Sequence, residues 1–179
     1  EGKEERANQI FSLLIYVALA VGILLALFGI VFVKPIALKL GAEASLLEYC
    51  VIYTRVVLLG LPFFMLQNMF QSFLIAAEKP KMGLVVTIAA GVTNMVLDAL
   101  FIAVFRWGVV GAAAATALSQ FVGGIVPFIF FARKNSSKLH LTKTKIMGKE
   151  LLRTCTNGSS ELVTNISMSL VGMLYNMQL

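Results

Sequence analysis

Asp98 is the one ionisable residue between Gly83 and Phe105, and Asn94 precedes it by four positions. On a helix the two share a face, one turn apart. A carboxylate beside a carboxamide can take up a proton or offer oxygen ligands to a hard cation. A third oxygen comes from the next apolar run, Gly111-Ala-Ala-Ala-Ala-Thr-Ala-Leu-Ser119, which carries the Thr116 hydroxyl among small residues that permit close helix approach.

The elements that hold these groups follow from the apolar pattern. At 1.5 Å per residue, Gly83–Phe105 is long enough to cross a bilayer. Asp98 lies about 12 Å below the edge marked by Arg106, and Thr116 about 10 Å below the same edge on the return helix. Two antiparallel helices joined at Arg106-Trp107-Gly108 therefore bring the carboxylate and hydroxyl to one level. A carboxylate at that depth costs about 2.5–3.5 kcal/mol on insertion scales, and such groups usually mark an ion or proton path. The competing role is cohesive, with Asp98, Asn94 and Thr116 hydrogen-bonded only to tie helices together.

The remaining chain reads as an all-α, polytopic membrane helix bundle. Of 179 residues 59% are hydrophobic and 13% charged, about half the charge of an average soluble domain. Spans are expected at about 11–33, 48–77, 83–105 and 109–132, with a fifth helix from about Ser159. Domains are expected as 1–132, a bundle; 133–156, a linker starting at Asn135-Ser-Ser137; and 157–179, the start of a second bundle. The chain does not begin with Met and Leu179 falls inside an apolar segment, so a piece of a longer protein is expected.

Charge sets an expected orientation. The N-terminal segment, the 78–82 turn and the 133–153 stretch hold eleven of the fifteen Lys and Arg residues. The positive-inside rule puts those segments in the cytoplasm, and Asp98 and Thr116 in the outer half of the membrane. The formal net charge of +6 then reflects topology and contact with anionic lipid; no nucleic-acid partner is expected. Cys50 and Cys155 are expected near opposite faces, unable to pair, and no metal-ligand spacing is present.

On the second span Tyr53 lies close to the level of Asp98, and Gly60, Gln67 and Gln71 continue a polar or small stripe with Asn68 beside it. That stripe suits a face turned toward a wet cavity. Gln67, Asn68, Gln71 and Met69 are candidates for lining a substrate route, Met69 through its adaptable thioether. Bonding between helices is the simpler role for the amides. Pro62 is expected to kink the span midway.

These residues carry a resemblance. Asn94-x3-Asp98 followed by Gly108-Val-Val-Gly111-Ala-Ala-Ala-Ala-Thr116-Ala-Leu-Ser119-Gln120 resembles the fifth and sixth helices of multidrug and toxic compound extrusion (MATE) transporters. Tyr53-Thr-Arg-Val-Val-Leu-Leu-Gly60-Leu-Pro62 is similar to their fourth helix, and Ala77-Glu-Lys-Pro80 to the turn after it. Gly158-Ser-Ser-Glu161 resembles the seventh helix of the DinF/MepA-like branch.

The resemblance implies an incomplete N-lobe plus the first helix of a C-lobe, in a twelve-helix protein of the bacterial inner membrane. It implies proton- or sodium-coupled antiport of small-molecule drugs, organic cations or amphiphiles, by alternating access. It assigns the cation site to Asn94, Asp98 and Thr116 with Tyr53 nearby, and implies no cofactor and a monomeric full-length protein. A carboxylate on the family's first helix has no counterpart here, and Glu161 sits too near its helix start to match the acidic position some relatives use.

A flippase for a lipid-linked sugar, from the same broader superfamily, is the alternative. It calls for basic groups inside the lobe, and Arg55 is the one basic residue within an expected span. An intramembrane enzyme is disfavoured, because the apolar runs hold no paired aspartates, Gly-x-Ser-x-Gly or His-x-x-x-x-His.

Overall fold

The computed structural model describes residues 2–39, 44–133, 137 and 139–178. The middle of the first connection and part of the stretch after residue 133, with Asn135 and Ser136, lie outside them. The described residues form five α-helices: α1 (Gly2–Lys39), α2 (Ala44–Ala76), α3 (Pro80–Asp98), α4 (Gly108–Ala132) and α5 (Gly148–Gln178). A π-helical segment, Ala99–Val104, continues α3. Stretches in α1, α2, α3 with its π segment, and α4 are long and apolar enough to cross a membrane.

Each boundary has a local cause. Glu4 and Glu5 in the first turn of α1 and Lys39 in its last complement the helix dipole. After α2 the chain closes a Schellman turn: Glu78 N–H donates to the Ile75 carbonyl at 3.0 Å and Lys79 N–H to the Leu74 carbonyl at 2.8 Å. Glu78 sits at φ 59°, where glycine would be more comfortable. Pro80 then opens α3 at a position where its missing N–H costs nothing. α2 runs as one helix through Pro62. That proline packs against Gly22 of α1, where an added Cβ would come within 2.9 Å of the Pro62 Cα.

Within the unit Glu1–Lys143, α2 is central and packs on α1 and α4, while α3 leans mainly on α4. Its aromatic core joins Phe11 and Ile15 of α1, Leu66, Phe70 and Leu74 of α2, Ala77 in the turn after α2, and Phe131 of α4. Phe11 meets Phe73 edge-on at 4.8 Å and Phe131 at 5.0 Å, and Phe70 stacks on Phe131 at 5.6 Å. These geometries are the offset and edge contacts that ring quadrupoles favour.

The unit Thr144–Leu179 contains α5. Its helix starts eleven residues before the expected Ser159, so Asn157-Gly158 is helix interior rather than a boundary. The reason is local: Glu150 favours the first turn, and hydroxyls of the kind that compete with backbone bonding instead bond back within the helix. Thr154 donates to the Glu150 carbonyl at 2.9 Å, Ser159 to Thr156 at 2.6 Å and Ser167 to Val163 at 2.8 Å.

Candidate cation and substrate site

α2, α3 and α4 border an open cavity of about 300 Å³ lined by Phe64, Gln67, Thr87, Ala90, Gly91, Asn94, Thr116, Ser119 and Gln120. Its polar groups are all neutral: three carboxamides and three hydroxyls. Asn94 and Thr116 therefore share one space, whereas depth counting puts Asp98, one turn away, level with Thr116. Small residues make room for it, since the α2–α4 seam is built on glycines. An added Cβ at Gly60 would collide with the Gln120 carboxamide oxygen, and one at Gly123 would reach the Gln67 Cδ at 2.5 Å. Each glutamine thus lies over a glycine of the opposite helix, and both side chains border the cavity.

Thr116 donates its hydroxyl to the Ala112 carbonyl of its own helix at 3.0 Å, and Ser119 donates to the Thr116 carbonyl at 2.8 Å. With their protons committed, both hydroxyls can present only lone pairs to the cavity. Gln120 keeps its Oε1 buried over Gly60, with no hydrogen-bond partner. The lining is accordingly well supplied with acceptors, which is what a cation or a donor-bearing ligand needs.

Asp98 lies one turn beyond Asn94 at the end of α3, outside the set of lining residues. Its Oδ1 is buried and has no hydrogen-bond partner. No hydrogen bond joins Asp98 to Asn94 or Thr116, so the competing cohesive role for the three side chains lacks its bonds. An unpartnered buried carboxylate oxygen is expensive and is relieved by a proton or a cation. Among the described residues no three His, Cys, Asp or Glu side chains cluster.

The π segment starts immediately after Asp98. Ala99 N–H is shared between the Met95 and Val96 carbonyls, and Phe105 N–H donates to Leu100, five residues back, at 2.9 Å. Such wide turns are frequent at functional sites. Here it is seated on α4 through Gly111, where a Cβ would lie 2.9 Å from the Phe101 Cβ and 3.2 Å from the Phe101 carbonyl oxygen. Phe101 also stacks on Trp107 at 5.1 Å, closing the hairpin around Arg106 at φ 56°.

Other expected site residues separate from this cavity. Tyr53 is exposed on α2 and does not line it. Asn68 donates to the Phe64 carbonyl of its own helix at 2.8 Å. Gln71 donates to the Thr87 hydroxyl at 2.8 Å, joining α2 to α3. Met69 packs against the aromatic core. The expected stripe thus splits, because a helix facing two partners divides its polar face between them; of that stripe Gln67 alone lines the cavity. Thr87, Ser119 and Gln120 join it without having been singled out, although Ser119 and Gln120 stand in the motif that carries Thr116. A second cavity, about 420 Å³, lies between α1 and α2 and is lined by Lys34, Glu48 and Arg55 with Leu47, Val51 and Ile52.

Residues 1–100 match the MatE family. This chain belongs to it. The family is one of membrane transporters rather than enzymes. Over 176 residues the chain is 28% identical to the multidrug export protein MepA of Staphylococcus haemolyticus, covering 96% of this chain and 38% of the relative. MepA of Staphylococcus aureus strain MRSA252 is 30% identical over 174 residues, with the same two coverages. The fold is similar, at a TM-score of 0.86 and 22% identity, to the inward-facing conformation of a multidrug resistance MATE family transporter of the MOP superfamily. That match covers 93% of this chain and 38% of the transporter. The chain thus spans about two fifths of the length of these relatives.

Proposed function

We propose that this MatE chain forms part of a proton- or sodium-coupled multidrug efflux antiporter that works by alternating access, with Asp98 as its coupling residue. In this reading residues 1–132 belong to the N-lobe and 157–179 to the start of the C-lobe, and the stretch between them, into which the first turns of α5 extend, is cytoplasmic. One observation carries the proposal, the buried and unpartnered Oδ1 of Asp98 one turn from a cavity rich in acceptor oxygens. The relatives named for multidrug export supply the substrate class.

The mechanism follows from charge. A bare carboxylate disfavours any packing that dries it, whereas a protonated or sodium-bound Asp98 tolerates closure. Ion uptake therefore stabilises one helix arrangement over another, as a coupled switch requires. Asn94 and Thr116 would supply neutral oxygens beside the carboxylate in the ion-bound state. One proton moving down ~100 mV releases about 2.3 kcal/mol, and one pH unit adds about 1.4 kcal/mol. Together they sustain a several-hundredfold gradient of a neutral drug. Exchange of one proton for one monovalent cation is electrically silent and leaves only about tenfold. Organic cations therefore call for more than one coupling ion or a steeper pH gradient.

The test is Asp98→Asn in the full-length protein that contains this chain. Efflux of a cationic dye should be lost while the protein remains in the membrane at its normal level. Undiminished efflux by a well-expressed Asp98→Asn variant would overturn the coupling role. Imposing proton and sodium gradients separately in proteoliposomes then identifies the coupling ion.

A further inference from the structure

The residues that follow α4 do not lead straight away from the four-helix unit. His140 donates its amide to the Asn8 Oδ1 at 2.9 Å, and Thr142 donates its amide to the Ser12 Oγ at 2.8 Å. Between them, the Leu141 amide donates to the Phe131 carbonyl at 3.0 Å. Three successive amides thus alternate between α1 and α4, as an extended strip of chain directs them. The side chains keep the same alternation, since Leu139 and Leu141 both pack against the aromatic core.

The receiving groups are arranged for this. Asn8 and Ser12 are four apart and share one face of α1. Ser12 is fully buried, and its own proton goes to the Asn8 carbonyl at 2.8 Å, leaving a lone pair for Thr142. α1 has 38 residues and is about 57 Å long, well beyond the ~30 Å hydrocarbon layer, so its first turns can stand clear of lipid and accept a polar partner. The compact unit built on α1 to α4 ends at Lys143, one residue past the last of these bonds.

We infer that Asn8 and Ser12 are positioning residues that fasten residues 139–142 to the four-helix unit and confine the hinge between the two units to residues 144–147. Four residues reach at most about 14 Å, whereas the fifteen from 133 to 147 could reach about 50 Å. The strap converts a long tether into a short pivot, so a shift of helix packing around Asp98 is passed on instead of being absorbed by slack chain. The transmission half of this inference rests on the antiporter reading; the fastening half does not.

The test is amide hydrogen exchange on the full-length protein in lipid nanodiscs, paired with dye efflux. The amides of His140, Leu141 and Thr142 should exchange at least tenfold more slowly than those of Lys145–Met147. Asn8→Ala and Ser12→Ala should each remove at least tenfold of that protection and lower efflux severalfold at unchanged protein level. Asn8→Asp keeps the accepting oxygen and should preserve both. Equal exchange across 140–147 in the unaltered protein would overturn the fastening. Lost protection with undiminished efflux would overturn the hinge role. An inert parent with protected 140–142 would instead sink the antiporter reading, and transmission with it, while the fastening stands.

Discussion

Gln67 of α2 lies where a side chain on Gly123 of α4 would have to go: an added Cβ would sit 2.5 Å from the Gln67 Cδ and Oε1. One residue further along, Gly124 faces backbone instead, with the Phe63 carbonyl oxygen 2.7 Å and the Phe63 Cα 3.1 Å from the same imagined atom. Neighbouring glycines on one helix thus serve different purposes, the first a cavity and the second a seam.

The two substitutions should therefore part company. In Gly124→Ala the backbone of α2 cannot step aside, so overpacking should cost about 1–3 kcal/mol and lower both the melting temperature and the amount of protein in the membrane. In Gly123→Ala the obstacle is the end of a flexible side chain, which can rotate away. That variant should keep its level and melting temperature within a few degrees but displace Gln67 from the cavity wall, altering which drugs are exported. Thermal melting in detergent and a resistance panel distinguish the pair. Equal destabilisation by both would show that Gln67 is held as rigidly as backbone.

Thr116 offers a second, narrower test. Its proton is committed to the Ala112 carbonyl, so its value to the cavity is its oxygen. Thr116→Val keeps the shape and removes that oxygen, whereas Thr116→Ser keeps the oxygen and removes a methyl group. The valine variant should shift the pH or sodium dependence of efflux, and the serine variant should follow the unaltered protein. Stability should change by less than about 1.5 kcal/mol in either case, because the lost bond is internal to one helix. Identical ion profiles for all three would remove Thr116 from the site.

The hairpin was legible because its signal is local: an apolar run with one carboxylate, a three-residue turn and a second run rich in small residues. Depth counting put Asp98 level with Thr116 because rise per residue is fixed, yet it is Asn94, one turn away, that lines the pocket beside Thr116. The count failed for Tyr53, because depth says nothing about rotation around the helix axis. The strap was invisible for another reason. Asn8 and Ser12 look like the polar start of a span, and their partners lie 132 and 130 residues away. The aromatic core was equally hidden, since in a chain this apolar Phe11, Phe70 and Phe131 do not stand out from lipid-facing phenylalanines.

Gln71 shows how a polar residue in a span can be cohesive. Its carboxamide donates to the Thr87 hydroxyl at 2.8 Å, and Thr87 in turn donates to the Gly83 carbonyl at 2.9 Å. α2 and α3 otherwise touch little, since α3 rests chiefly on α4. This bond therefore carries a large share of what holds α3 to α2. Hydrogen bonds between transmembrane helices average about 0.6 kcal/mol and reach about 1.7 kcal/mol, and this one belongs toward the upper end because few other contacts back it up. Gln71→Leu and Thr87→Val should each destabilise the protein by about 1 kcal/mol, and the double variant by little more than either alone. A double-mutant cycle on thermal unfolding in detergent measures that coupling. The drug profile should stay unchanged in Gln71→Leu, since Gln71 does not line the cavity; strict additivity of the two losses would show that the bond contributes nothing.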